Sequence, residues 1–118
     1  MSRDVTLTIE NNTGVALNYV SKNAKHGKFV KNPPAKIEST GSWKCSSVDG
    51  GLYGPEGDVV YQMENQNSTI KFTFDHPISS TKSHYKVKPD PSDAVDFEVE
   101  QSGGTVQKVI YKLYSKSE

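Results

Sequence analysis

Apolar residues in this chain recur at every second position, in run after run. Val5, Leu7 and Ile9 alternate with Thr6 and Thr8, and Val15, Leu17 and Tyr19 follow after a turn. Ile70, Phe72 and Phe74 repeat the pattern, then Val95, Phe97 and Val99, then Val109, Tyr111 and Leu113. Successive side chains of a strand point to opposite faces, so each run has one face to bury and one to wet. No helix is read anywhere between the runs. Many half-buried strands in one small chain predict two antiparallel sheets packed face to face, an all-β sandwich.

A length of 118 residues suits one domain, spanning 1–118, and not two. Only 33% of the residues are hydrophobic and the mean hydropathy is -0.66, which is lean. Alternating strands need an apolar residue at only half their positions, and four Phe, six Tyr and one Trp argue against disorder. The formal net charge is zero, without the basic excess of a duplex nucleic-acid binder. Charge is nevertheless segregated. Lys22, Lys25, Lys28, Lys31, Lys36 and Lys44 share their stretch with Glu38 alone, whereas Asp90, Asp93, Asp96, Glu98 and Glu100 form an acidic block. Solvated strand faces are the simpler reading, and complementary faces for an anionic surface or a protein partner the sharper one. A single cysteine, Cys45, rules out an intrachain disulfide. No secretory signal segment is read at Met1, and no apolar run approaches the roughly twenty residues of a spanning helix. The expectation is a chain made soluble in a cytosol.

The strands are expected over 4–10, 15–21, 28–31, 35–38, 41–48, 58–63, 69–75, 85–88, 94–100 and 105–114, with 11–14 as the turn of a first antiparallel hairpin. Residues 22–27 read as a polar loop. Gly54-Pro55-Glu56-Gly57 reads as a type I turn closing a glycine-rich loop. Pro33-Pro34 and Pro89 read as strand stops, because proline cannot donate to a ladder.

Few residues stand at spacings that carry chemistry. His26, His76 and His84 lack metal-ligand spacing, so no metal and no cofactor is expected. No serine stands in a nucleophile elbow, and Cys45 shares a strand face with Trp43, as a buried, inert thiol would. Asp96, Glu98 and Glu100 fall on one strand face and read as a solvated stripe. An enzyme is not expected. Trp43 reads as core before anchor. Ile78, behind Pro77 in a loop, reads as an apolar contact for a lipid or partner.

Four segments, taken in order, carry a resemblance. They are 10–14 (Glu-Asn-Asn-Thr-Gly), 54–57 followed by Val59-Val60-Tyr61, 74–78 (Phe-Asp-His-Pro-Ile), and 101–104 (Gln-Ser-Gly-Gly). Together, over roughly residues 3–114, the chain resembles the aegerolysin family, and within it the small component of bacterial two-component insecticidal proteins. The resemblance implies a β-sandwich similar to that of actinoporin-type membrane binders. It also implies binding to a target-cell membrane lipid, in several members a sphingolipid, or to a receptor. The resemblance further implies a larger second toxin component that forms the pore, and it leaves a homo-oligomer open. Release from the bacterium, as an inclusion or by lysis, would precede action at the surface of host gut cells. Where the family carries Trp-Asp-Cys-Pro-Trp, this chain matches at Asp75 and Pro77 and departs at Phe74, His76 and Ile78. The resemblance assigns Asp75, His76, Pro77, Ile78 and Tyr85 to the membrane or receptor, and Tyr53, Gly54, Pro55, Glu56 and Gly57 to the partner. A lectin-like or adhesion sandwich binding glycans is the alternative function.

Overall fold

The computed structural model describes residues 3–48, 52–78 and 82–116. Ten strands form two five-stranded sheets, and no helix occurs among the described residues. They are β1 (Asp4–Asn12), β2 (Leu17–His26), β3 (Lys28–Lys31), β4 (Lys36–Ile37), β5 (Thr40–Ser46), β6 (Glu56–Met63), β7 (Thr69–Asp75), β8 (His84–Asp90), β9 (Val95–Gln101) and β10 (Val106–Ser115). The first sheet runs β3-β5-β1-β10-β9 and the second β4-β2-β6-β7-β8. The fold is the β-sandwich that the alternation implies. Val5, Leu7 and Ile9, with Trp43, Val109, Tyr111 and Leu113, face Val59, Tyr61, Ile70, Phe72 and Phe74 across the core. Trp43 is fully buried, stacked on Tyr111 with ring centroids 6.2 Å apart.

The expected first hairpin does not form. β1 lies between β5 and β10, antiparallel to β5 but parallel to β10, while β2 belongs to the other sheet. Residues 13–16 are therefore a corner between layers. The buried Asn11 builds it: its Nδ2 donates to the carbonyl oxygens of Val15 (2.8 Å) and Glu38 (3.0 Å), and its Oδ1 accepts from the Thr13 hydroxyl. Such Asx geometry turns a chain without closing a ladder.

Two further expectations need correction. Residues 22–26 continue β2 instead of looping, although nearly every side chain there is exposed. Pairing with β6 holds this stretch through its backbone, and register shifts at Tyr19/Ser21 and Ala24/His26 erase the period-two signal. β8 likewise runs through Pro89 to Asp90. It is an edge strand, the place in a sheet where proline is tolerated.

The β-strand directions place one end of the sandwich together. The starts of β1, β6, β8 and β10 and the ends of β2, β5, β7 and β9 all lie there. The β6–β7 hairpin tip lies at the opposite end of a body 46 Å long.

Candidate functional site

The two segments that the resemblance assigned to different partners meet at this end as one surface. The backbone N–H of His76 donates to the carbonyl of Pro55 (2.9 Å). Gly54 packs against the same turn so closely that a β-carbon on it would overlap the His76 carbonyl oxygen. Glycine is required here by space alone. Leu52, Tyr53, Gly54, Glu56, Asp75, Pro77 and Ile78 then line a shallow groove of about 220 Å³. Leu52 is 84% exposed and Tyr53 58% exposed. The Tyr53 ring stacks on His26 with centroids 4.0 Å apart, which fixes it without burying it. Arg3 clamps the far side, its Nη2 donating to the Ile78 carbonyl oxygen at 2.6 Å.

Not every assigned residue reaches this surface. His76 is 1% exposed; its Nε2–H donates to the Thr105 carbonyl (2.7 Å) and its Nδ1 accepts from the Ser83 hydroxyl (2.8 Å). A carbonyl can only accept, and that sets this tautomer. The imidazole pins the loop after β7 to the start of β10 and does not touch solvent. The Ser83–His76 pair lacks the carboxylate that orients a catalytic dyad. Tyr85 faces the core from β8, its hydroxyl donating to Gln107 Oε1 at 2.6 Å, and burial pushes it up to about 12. As folded, neither His76 nor Tyr85 presents a side chain to a membrane. Gly54 and Pro55 are buried as well, and Glu56-Gly57 opens β6 instead of completing a turn. Asp75, Glu56, Pro77 and Ile78 remain half-buried at the rim.

Beside the apolar lip lies a row of titratable groups. Glu56 on β6 stands directly opposite Asp75 on β7, with His84 beyond Asp75 and His26 beyond Glu56. Burial and then Glu56 hold the Asp75 carboxyl above its ordinary value, while His84, Lys25 and His26 pull the other way. Lys25 reaches Glu56 at 3.7 Å. Like charges placed opposite each other in a ladder are destabilising. The row leads into a polar groove of about 390 Å³ on the outer face of the second sheet, bordered by Asn23, Asp58, Thr73, Lys86 and Lys88. No three His, Cys, Asp or Glu residues converge as a metal site among the described residues. No helix there is long and apolar enough to cross a membrane.

Sequence reasoning missed Leu52, His26 and Arg3. Leu52 carried the signal that singled out Ile78, an apolar residue isolated in a loop. His26 and Arg3 carried none, because their roles depend on which strands end together.

No protein-family profile matches the chain, and no curated protein matches it in sequence. Solved structures do match. The lipid-binding protein Nakanori superposes with a TM-score of 0.84 at 16% identity, over 98% of this chain and 72% of that one. IP-1A from Alcaligenes faecalis superposes at 0.67, with 16% identity over 98% of this chain and 92% of its own. The lectin XCL of Xerocomus chrysenteron superposes at 0.64, with 13% identity over 96% of this chain and 98% of that one. At these identities the likeness is one of fold: the chain shares the β-sandwich of a lipid-binding protein and of a lectin.

Proposed function

We propose that this chain is the non-enzymatic membrane-binding subunit of a two-component, pore-forming insecticidal toxin of the aegerolysin type. The observation that carries the reading is the apolar lip at one end of the sandwich. Leu52 and Tyr53, both exposed, stand beside Pro77 and Ile78 and beside the carboxylates Glu56 and Asp75. Exposed apolar side chains gathered at a loop end, rimmed by charge, suit insertion among lipid headgroups. The paired carboxylates suit an ammonium-bearing headgroup. The fold likeness to a lipid-binding protein supports the same direction.

The lip is a single surface, so membrane and second component cannot both occupy it. Its most exposed residues are apolar, and we assign it to the membrane; the larger component then takes another face. The pore itself is assigned to that component. A membrane strand needs roughly nine to eleven residues with a continuous apolar lipid face. β10 is the best candidate by sequence, yet its Val109, Tyr111 and Leu113 are core residues and its other face carries Lys108 and Lys112. Synthesis in a bacterial cytoplasm and action at host gut cells belong to the same proposal.

Liposome flotation with Ile78→Asp and Leu52→Asp tests the reading. Complete loss of an apolar side chain's burial costs about 1.5–3 kcal/mol, or roughly 10- to 100-fold in affinity. Normal binding by both variants would remove the lip from the recognition surface. A second reading has its own observation: the groove beside Asn23, Asp58, Thr73 and Lys86 offers the mixed donors and acceptors a sugar requires, and one structural neighbour is a lectin. Glycan-array binding without liposome binding would favour that reading.

A further inference from the structure

The first sheet has two free edges of opposite charge. Among the described residues β3 pairs only with β5, and β9 only with β10, so each presents an outer edge that no described strand covers. On β3, Lys28 and Lys31 flank Phe29 and Val30; Val30 is 56% exposed. On β9, Asp96, Glu98 and Glu100 alternate with Phe97 and Val99; Phe97 is 43% exposed. Asp96 and Glu100 also pair within the chain, with Lys116 (3.0 Å) and Lys112 (2.7 Å), so that Glu98 is the acid of the row without an ion pair among the described residues. Lysines on an edge normally keep another edge away. Here the opposite edge is acidic, so the lysines repel a second β3 and attract β9.

Strand direction fits too. β3 is antiparallel to β5, β5 to β1, and β10 to β9, while β1 and β10 are parallel. β3 and β9 therefore run in opposite senses. Two copies in the same orientation, set side by side, bring β9 of one against β3 of the next as an antiparallel pair. Side-chain parity agrees. Phe29 pairs with the buried Cys45 and Phe97 with the buried Leu113, so both rings lean toward the core side. Lys28, opposite Ser46, and Lys31, opposite Lys44, lie on the other face with Asp96, Glu98 and Glu100. Setting Phe29 opposite Phe97 places Lys28 opposite Glu98. The register shift after Phe29 then brings Lys31 to Asp96. A slip of two residues keeps lysine against acid, because parity is preserved.

We propose that this protein self-assembles head to tail through β9 of one copy and β3 of the next. The interface is heterologous, so it generates a chain or ring and not a twofold dimer. Across the second layer the same approach sets Lys86 and Lys88 of β8 toward Lys22 of β2, which lies over the Phe29 ring on the β3 side of the sandwich. The ladder is thereby confined to the first sheet, and successive copies tilt.

The test is reciprocal charge reversal followed by sedimentation velocity at low salt. The wild-type protein is expected to form concentration-dependent oligomers that dissociate at ~1 M salt, where screening extends to about 3 Å. Lys28→Glu/Lys31→Glu makes both edges acidic, and Glu98→Lys/Glu100→Lys makes both basic; each variant alone is expected to be monomeric. Mixed, the two restore oligomers of alternating composition, which also shows that each was folded. A wild-type protein that stays monomeric at all concentrations overturns the proposal. So does an oligomer that either reversal leaves intact, or a pair of monomeric variants that fails to reassociate on mixing.

Discussion

Gly54 and His76 touch backbone to backbone. A β-carbon on Gly54 would stand 2.9 Å from the His76 carbonyl carbon and closer still to its oxygen, at a turn already tied by the bond from His76 N–H to Pro55. This contact makes one surface of two loops far apart in sequence. Gly54→Ala is expected to force them apart and to destabilise the fold by roughly 1–3 kcal/mol, the usual cost of overpacking. Chemical denaturation measures it. An unchanged denaturation midpoint would show that the loops yield without cost.

The fold class was legible because burial in a sandwich follows a period of two, and the runs at Val5, Ile70 and Val109 keep it without interruption. The placement of β1 was not legible. Its parallel pairing with β10 leaves no local mark, since a strand buried between two neighbours alternates the same way whichever direction they run. Beyond Tyr19, β2 is exposed and had no burial pattern to read. At the site, Ile78 announced itself as an apolar residue in a loop. His76 sits in that loop too, yet it folds inward to hydrogen bonds on Ser83 and Thr105 that no spacing in the sequence predicts.

The opposed carboxylates predict a pH effect. The Asp75 carboxyl sits above its ordinary value, so its charged form is the disfavoured one in the fold. A raised carboxyl contributes stability that is complete below its unfolded value and is lost as pH rises through the folded one. Asp75→Asn is therefore expected to melt slightly higher than wild type at neutral pH. The difference is limited to a few tenths of a kcal/mol by solvent screening. It should shrink as pH falls into the carboxylate range. Thermal melts across that range check it; a variant less stable than wild type at neutral pH would mean that Asp75 has a favourable partner.

Cys45 is buried, and burial pushes its thiol up to about 12. The thiolate is the reactive form, so labelling at neutral pH is expected to wait for unfolding. Ellman's reagent should react slowly with the native protein and at once in denaturant. Reductant and chelator should leave melting unchanged, and a large shift with EDTA would point to a bound metal.

The division of labour predicts weak dye release by this chain alone at low dose, since β10 offers no lipid-facing strand without loss of Tyr111 and Leu113 from the core. Release should rise sharply when the larger component is added. Efficient, saturable leakage caused by the isolated chain would contradict the assignment of the pore to a partner.

The end of the sandwich carrying Leu52 is the one proposed to meet the membrane. An environment-sensitive fluorophore on Leu52→Cys, compared with one on Asn67→Cys at the exposed hairpin tip of the opposite end, measures this directly, because the native Cys45 is buried. On binding to liposomes, the label at position 52 is expected to brighten and shift to the blue as it leaves water, while the label at position 67 stays unchanged. Binding with no change at position 52, or with the shift at position 67 instead, would contradict the account.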